Sequence, residues 1–254
     1  TVMGTAIRMM LRAMLPLEKS FCPRTSTAPH LFSCNFSGSG VYLYWKRHRL
    51  HPLRQRETGV IIRHFSNTGN GKGLISLTLL EQAKALEPQL RALKDDLHRH
   101  PELSFQEVRT TGILKEKLTA LGLELIDLGM DTGVVAMLRG DRPGRTVALR
   151  ADIDAIAQQE AGHDGAVSRQ AGLMHGCGHD FHTAGLYGAA CLLSQRRDQL
   201  AGNVVFLFQP AEEVTQGAQA MLDHGLWDKL PARPDCLFGL HNRPELPAAQ
   251  IAVM

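Results

Sequence analysis

Three short apolar runs in the second half of the chain each end in a cluster of polar, chemistry-bearing residues. Thr146 to Arg150 leads into Asp152 and Asp154. Val204 to Phe208 leads into Gln209-Pro210-Ala211-Glu212-Glu213, and Cys236 to Leu240 leads into His241-Asn242. Apolar runs of this length read as strands of a sheet core. Two helical segments lie between them. His182 to Gln195 carries Ala184, Gly185, Gly188 and Ala189, small enough for close packing, and Thr215 to His224 is stopped by Gly225. Strand, helix, strand, helix, strand predicts an α/β layered fold with a mixed, mainly parallel sheet flanked by helices. Sheets of this type place ligands beyond the ends of their strands, which is where the polar clusters fall.

Upstream, Leu79, Leu80, Ala83, Leu86, Leu90, Leu93 and Leu97 recur at helical spacing and predict one helix with a single buried face, ended by Pro101. A second helix is expected from Phe105 to Ala120, closing at Gly122. Leu123 to Leu128 and Val134 to Leu138 are candidate strands. Residues 1–75 show no sustained periodicity and read as a basic, poorly ordered extension. The ordered part is expected over 76–254. Within the extension short apolar stretches such as Val41 to Trp45 have the look of strands but no domain is built on them, and residues 35–40 and 66–71 read as flexible or turning segments.

Charge separates the same two regions. Residues 1–73 hold eleven Lys/Arg against two Asp/Glu, a formal +9, which leaves −6 on the remainder of a chain whose net charge is +3. A solubilising tail is the plain reading of the basic arm. No recognition motif surrounds Trp45 and its basic neighbours, so no specific nucleic-acid partner is expected. Residues 1–17 have the composition of a targeting peptide without a convincing cleavage site, and a start-site extension is an equal reading. No uncharged apolar run reaches membrane-spanning length, and no membrane partner is expected. Five cysteines with no tight pairing pattern argue against a disulfide scaffold and for a reducing, cytoplasmic location.

The densest chemistry lies in Met174-His175-Gly176-Cys177-Gly178-His179-Asp180-Phe181-His182: a thiol, three imidazoles and a carboxylate in nine residues. Cys177 and His179 can turn toward one cation if the backbone bends, and the flanking glycines make that bend easy. Thiolate with imidazole suits zinc and tolerates manganese, cobalt or nickel. Taken singly, each residue has a plainer reading. Cys177 fits a buried free thiol, Glu212-Glu213 an acidic helix start, and Asp152 or Asp154 a turn cap. Taken together, they describe a dinuclear metal site with a carboxylate base. In extended backbone adjacent carboxylates cannot point the same way, so one of Glu212 and Glu213 is expected on a metal and the other facing water. His175 and His182 have ligand chemistry too, and spacing does not choose among the imidazoles. Asp152 reads as an orienting residue or part of a substrate pocket. His98 and His100 read as helix-end residues near solvent or the site rim. A thiol nucleophile at Cys177 is a rival reading.

At these residues the chain resembles the M20 metallopeptidase family, in the branch of hippurate hydrolases, N-acyl-amino-acid amidohydrolases and auxin-conjugate hydrolases. The matching stretches are 98–105, 149–155, 175–183, 208–213 and 239–242, in family order. The resemblance implies a zinc-peptidase-like catalytic domain. It assigns Cys177, His179, Glu213 and His241 to two divalent metal ions, Glu212 to the general base, and Asp154 to support of the metal centre. Asp152, His175, Asp180 and His182 become orienting or substrate-side residues. The implied reaction is hydrolysis of a small N-acyl amino acid by metal-activated water. A metal-binding, non-catalytic chain of the same fold is the alternative. The family also implies a ferredoxin-like lid domain, a last ligand histidine and a homodimer surface, all expected beyond Met254. Phe181 stands where the family usually has a small residue or methionine, which would narrow the pocket or push the loop outward.

Overall fold

A computed structural model of the chain describes residues 41–46, 78–162, 165–243 and 251–253, with side chains for 78–162 and 165–243. The expectations for 35–40, 66–71 and the rest of the N-terminal region lie outside the described residues.

The first strand, β1 (Val41–Lys46), precedes two short-spaced helices, α1 (Leu79–Ala85) and α2 (Glu87–Arg99). The single helix expected over Leu79–Leu97 is therefore two. Leu86 ends α1 and begins α2, and Pro88 sits in the first turn of α2. Proline has no N–H to continue the helical ladder but suits a helix start, so the chain breaks there while the apolar stripe runs on. Thr78 caps α1 in a capping box with Glu81. Next comes α3 (Val108–Ala120), which starts later than expected because Phe105 has φ +62°, outside the helical region. The Glu102 carboxylate accepts from the Arg109 and Thr110 N–H groups of its first turn.

Strands β2 (Glu124–Ile126), β3 (Val134–Arg139) and β4 (Arg142–Asp152) follow. Then come α4 (His179–Ser194), β5 (Ala201–Gln209), α5 (Gly217–Asp223), β6 (Cys236–Asn242) and β7 (Ile251–Val253). The sheet order is β2-β3-β5-β4-β6-β1-β7. Its central trio β5-β4-β6 is parallel, while β2-β3, β3-β5 and β6-β1 are antiparallel. The sheet is thus mixed, as expected. Val41–Lys46 does form a strand, and it pairs with β6 so that Tyr42 lies opposite His241 in the register.

Strand alternation distributes the core over both faces. Val147, Leu149, Ala151, Val204, Phe206 and Phe208 pack with Leu90, Leu97, Leu114 and Leu118 of α2 and α3 and with α4. On the other face Val135, Met137, Ala148, Val205 and Leu207 meet Met221 of α5 and Leu226 and Leu230 beyond it. Fourteen of the sixteen residues of α4 are buried, so its small residues serve packing on all sides. The described residues form this one layered unit and include no second domain.

Candidate metal centre

The parallel trio ends on one edge of the sheet, and the polar clusters meet there. Asp152 closes β4, Glu212 and Glu213 follow β5, and His241 and Asn242 close β6. Into this edge the loop before α4 brings Cys177, and the first turn of α4 brings His179 and His182. Gly178, at φ +76°, makes the sharp entry into α4. A Cβ there would lie 2.7 Å from the Asn242 side chain, so glycine also permits close approach of the loop to β6.

His179 is fully buried. Its Nδ1 lies 2.9 Å from the Asp154 carbonyl and 3.1 Å from Asp154 Oδ1, so Nδ1 carries the proton and donates. Nε2 is left pointing at the cluster with no hydrogen-bond partner, and so is Glu213 Oε1, 3.6 Å away. Buried polar atoms of native proteins are nearly always partnered. A lone pair facing a carboxylate oxygen is the arrangement a cation completes. Glu212 Oε2 also reaches to 3.8 Å from His179 Nε2. The two carboxylates therefore converge instead of separating, because the backbone there is not extended. It turns at Ala211, φ +50°, and Thr215, φ +57°.

Cys177, His179 and Glu213 form one group able to hold a metal ion, and Asp152, His179, His182 and His241 form a second. Hydrogen bonding divides the second group. His182 Nδ1 lies 2.6 Å from Asp152 Oδ1, and its Nε2 is engaged by Asn242, 2.5 Å from Oδ1 and 2.9 Å from the N–H. Both ring nitrogens are taken, so His182 ties β4 to β6 and has no lone pair for an ion. His241 uses Nδ1 toward the Asn242 carbonyl at 2.7 Å, which leaves Nε2 for the site.

The electrostatics also call for positive charge. Burial pushes the Cys177 thiol up to about 12, with Glu213, Glu212 and Asp152 adding to the effect. A thiolate forms there only if a cation compensates it. Burial lowers the His179 imidazolium, but Asp154, Asp152 and Glu213 outweigh it and the net shift is upward. Burial raises Glu212, and the charge of Asp152 raises it further. Asp152 is fully buried. Burial opposes its charge, yet His182 and Arg150 hold it well below the usual carboxylate range. Arg150 contacts it at 2.6 Å and also bonds Gln209. Asp154 likewise stays low despite burial, through His179, Ser104 and the Glu213 N–H. Its Oδ2 accepts from Ser104 at 2.7 Å and from the Glu213 N–H at 3.0 Å, so one carboxylate orients both His179 and the Glu213 backbone.

The other expected residues lie apart from the cluster. Asp180 faces α2, where His98 Nδ1 approaches at 2.8 Å. His175 is buried, neither ring nitrogen has a partner, and burial takes its pKa down to about 4. His98, read as a helix-end residue near solvent or the site rim, does sit in the last turn of α2 but not in solvent. It is buried between Asp180 and Glu160, whose Oε1 lies 2.7 Å from Nε2. The signal was present in the spacing, since His98 falls on the stripe of Leu90, Leu93 and Leu97. His100 is half-buried and bonds the Asp96 carbonyl. Phe181 packs against the core, edge-on to His182. A cavity of about 160 Å³ lies elsewhere, beside β2 and β3. It is lined by residues such as Ile126, Met130 and Met221, with Asp127 but no imidazole or thiol.

A thiol, imidazoles and carboxylates gathered at the strand ends of a mixed α/β sheet make a donor set suited to divalent metal ions. Known proteins agree. The model of peptidase family M20/M25/M40 matches residues 148–254. An N-acetylcysteine deacetylase of Bacillus subtilis is 46% identical over 171 residues, 67% of this chain and 44% of the relative. An N-acyl-L-amino acid amidohydrolase of Geobacillus stearothermophilus is 40% identical over 179 residues, 68% of this chain and 47% of the relative. Among solved structures, a dinuclear metal binding peptidase of the M20 family from Bacillus subtilis superimposes with TM-score 0.60 at 46% identity. That match covers 65% of this chain and 45% of that one. The chain belongs to the M20 peptidase family, in its amidohydrolase-type branch. It spans less than half the length of these relatives.

Proposed function

We propose that residues 76–254 form the part of a metal-dependent amidohydrolase that binds its metal ions, and that the reaction is hydrolysis of the amide bond of small N-acyl amino acids. The observation that carries this reading is the facing pair of buried, unpartnered atoms, His179 Nε2 and Glu213 Oε1, beside the Cys177 thiol. Cys177, His179 and Glu213 are the ligands of one divalent ion, and His241 belongs to a second ion close by. Zinc suits the thiolate best, and manganese, cobalt and nickel suit the nitrogen and oxygen donors. Such ions lower the pKa of water and polarise a carbonyl oxygen.

Glu212 is the proton carrier. Its raised affinity for a proton, from burial and then from Asp152, moves it toward the range a general base needs near neutral pH. It takes a proton from water as the water oxygen adds to the amide carbonyl carbon. It then gives that proton to the leaving nitrogen as the carbon–nitrogen bond breaks. The products are a carboxylic acid and a free amino acid. Asp154 keeps the His179 ring and the Glu213 backbone aligned while this happens. The substrate class is supported by the activities for which the deacetylase and amidohydrolase relatives are named. A reducing, cytoplasmic setting fits the free thiols of Cys177 and Cys191.

The test is release of amino acid from N-acetyl amino acids and from hippurate, with zinc or manganese, in the parent chain and in Glu212→Gln. Metal-dependent turnover that drops by about 10²-fold or more in the variant is the expected result. Turnover that survives a chelator, or that Glu212→Gln leaves intact, contradicts the proposal.

A further inference from the structure

We infer that Glu107 is a positioning residue, which holds the turn at Ala211 so that Glu212 and Glu213 converge on His179. The inference rests on the proposed roles of those two carboxylates. Glu107 is fully buried, immediately before α3. Its Oε1 accepts the Ala211 N–H at 2.8 Å, while Oε2 has no partner. A buried carboxylate with no cation beside it is a demanding group to retain. Apart from backbone contacts within its own segment, at Phe105 and Glu107 itself, that bond is what ties it to the Ala211 turn.

The bond falls where the backbone is under most strain. The non-glycine residues with positive φ among the described residues are Phe105, Ala211 and Thr215. They occupy two segments that meet through the Glu107–Ala211 hydrogen bond. Left-handed alanine and threonine are disfavoured, and they persist only where surrounding contacts overdetermine them. Several contacts do so here. Thr215 N–H bonds the Glu212 carbonyl at 2.7 Å, Gly217 N–H bonds the Ala211 carbonyl at 3.1 Å, and Glu213 N–H bonds Asp154. Gly217 lies so close to Pro210 that a Cβ would stand 1.6 Å from the Pro210 carbonyl oxygen. Among the described residues only Glu107 reaches the Ala211 N–H, the atom whose direction the positive φ sets. Without that bond Ala211 relaxes toward ordinary backbone. Adjacent carboxylates on such a backbone face opposite ways, and convergence on His179 is lost.

The experiment compares Glu107→Met, Glu107→Gln, and Glu107→Met combined with Ala211→Gly, in the whole chain. Methionine keeps the volume and loses the acceptor, glutamine keeps an acceptor, and glycine takes positive φ freely. Amide hydrogen exchange over 208–217 in metal-free protein reads the turn itself, and cobalt titration reads its consequence. In Glu107→Met the Glu213 and Thr215 amides should exchange about tenfold faster and cobalt should bind about tenfold more weakly, the scale of a left-handed alanine. Glu107→Gln should match the parent, and Ala211→Gly should return the double variant to within about threefold of it. Unchanged exchange in Glu107→Met, or no recovery on adding Ala211→Gly, overturns the inference. Exchange that follows this pattern while cobalt affinity stays constant supports the positioning role and overturns the ligand role of Glu213.

Discussion

His179 and His182 stand one helical turn apart on α4, and their ring nitrogens meet different partners. His179 gives one nitrogen to Asp154 and keeps the other unpartnered toward Glu213. His182 gives both to Asp152 and Asn242. Replacing them should therefore have different effects. Asparagine at His179 should abolish binding of the ion held with Cys177. Asparagine at His182 should lower stability by about 1–3 kcal/mol, the penalty for unmade buried hydrogen bonds, and weaken binding only through displacement of β6. Metal titration alongside urea denaturation separates the two. Gly178→Ala should weaken both properties, since the new Cβ meets Asn242 and takes an unfavourable φ. The residue types were readable in the sequence, and the family resemblance proposed the set Cys177, His179, Glu213 and His241. The division between His179 and His182 was not, because it depends on which partner each nitrogen meets across 25 to 60 residues of chain.

At the scale of elements, periodicity found the helices and strands but misplaced ends where backbone chemistry intervenes. Pro88 divides the first helix, Phe105 delays α3, and Gly178 lets α4 begin at His179 rather than His182. The contact between α2 and the start of α4 was equally hidden. His98 joins them as the buried partner of Asp180 and Glu160, with Lys94 3.6 Å from Asp180. Removing one member of such a group leaves charge buried without compensation. Accordingly His98→Leu should destabilise the chain by about 3–5 kcal/mol, measured by denaturant unfolding. A loss under about 1 kcal/mol, the range of exposed pairs, would show that the contact carries little.

Over the whole molecule, two buried histidines give stability a pH profile with opposite limbs. The Asp180 hydrogen bond raises the His98 pKa against the opposing effect of burial. Its stabilisation is complete below about pH 6.5, the unfolded value, and is lost as pH rises through the higher folded value. His175 behaves in reverse, since burial takes it from 6.5 down to about 4. The unfolded chain takes up that proton first, so stability falls by about 3 kcal/mol as pH drops through that interval. Unfolding of metal-free protein across this range should show both limbs, and His175→Leu should flatten the acid one. The α/β class and the placement of chemistry at strand ends could be read from alternating patterns alone. The antiparallel pairing of Val41–Lys46 with β6 could not, because strand partners distant in sequence leave no local trace.

The central claim is that Cys177, His179 and Glu213 hold a divalent ion. Cobalt titration of the 254-residue chain tests it most directly, because thiolate coordination gives cobalt a charge-transfer absorption of its own. A saturable signal that Cys177→Ser removes and Glu212→Gln leaves intact is the predicted result. Absence of binding, or binding indifferent to Cys177→Ser, would contradict it.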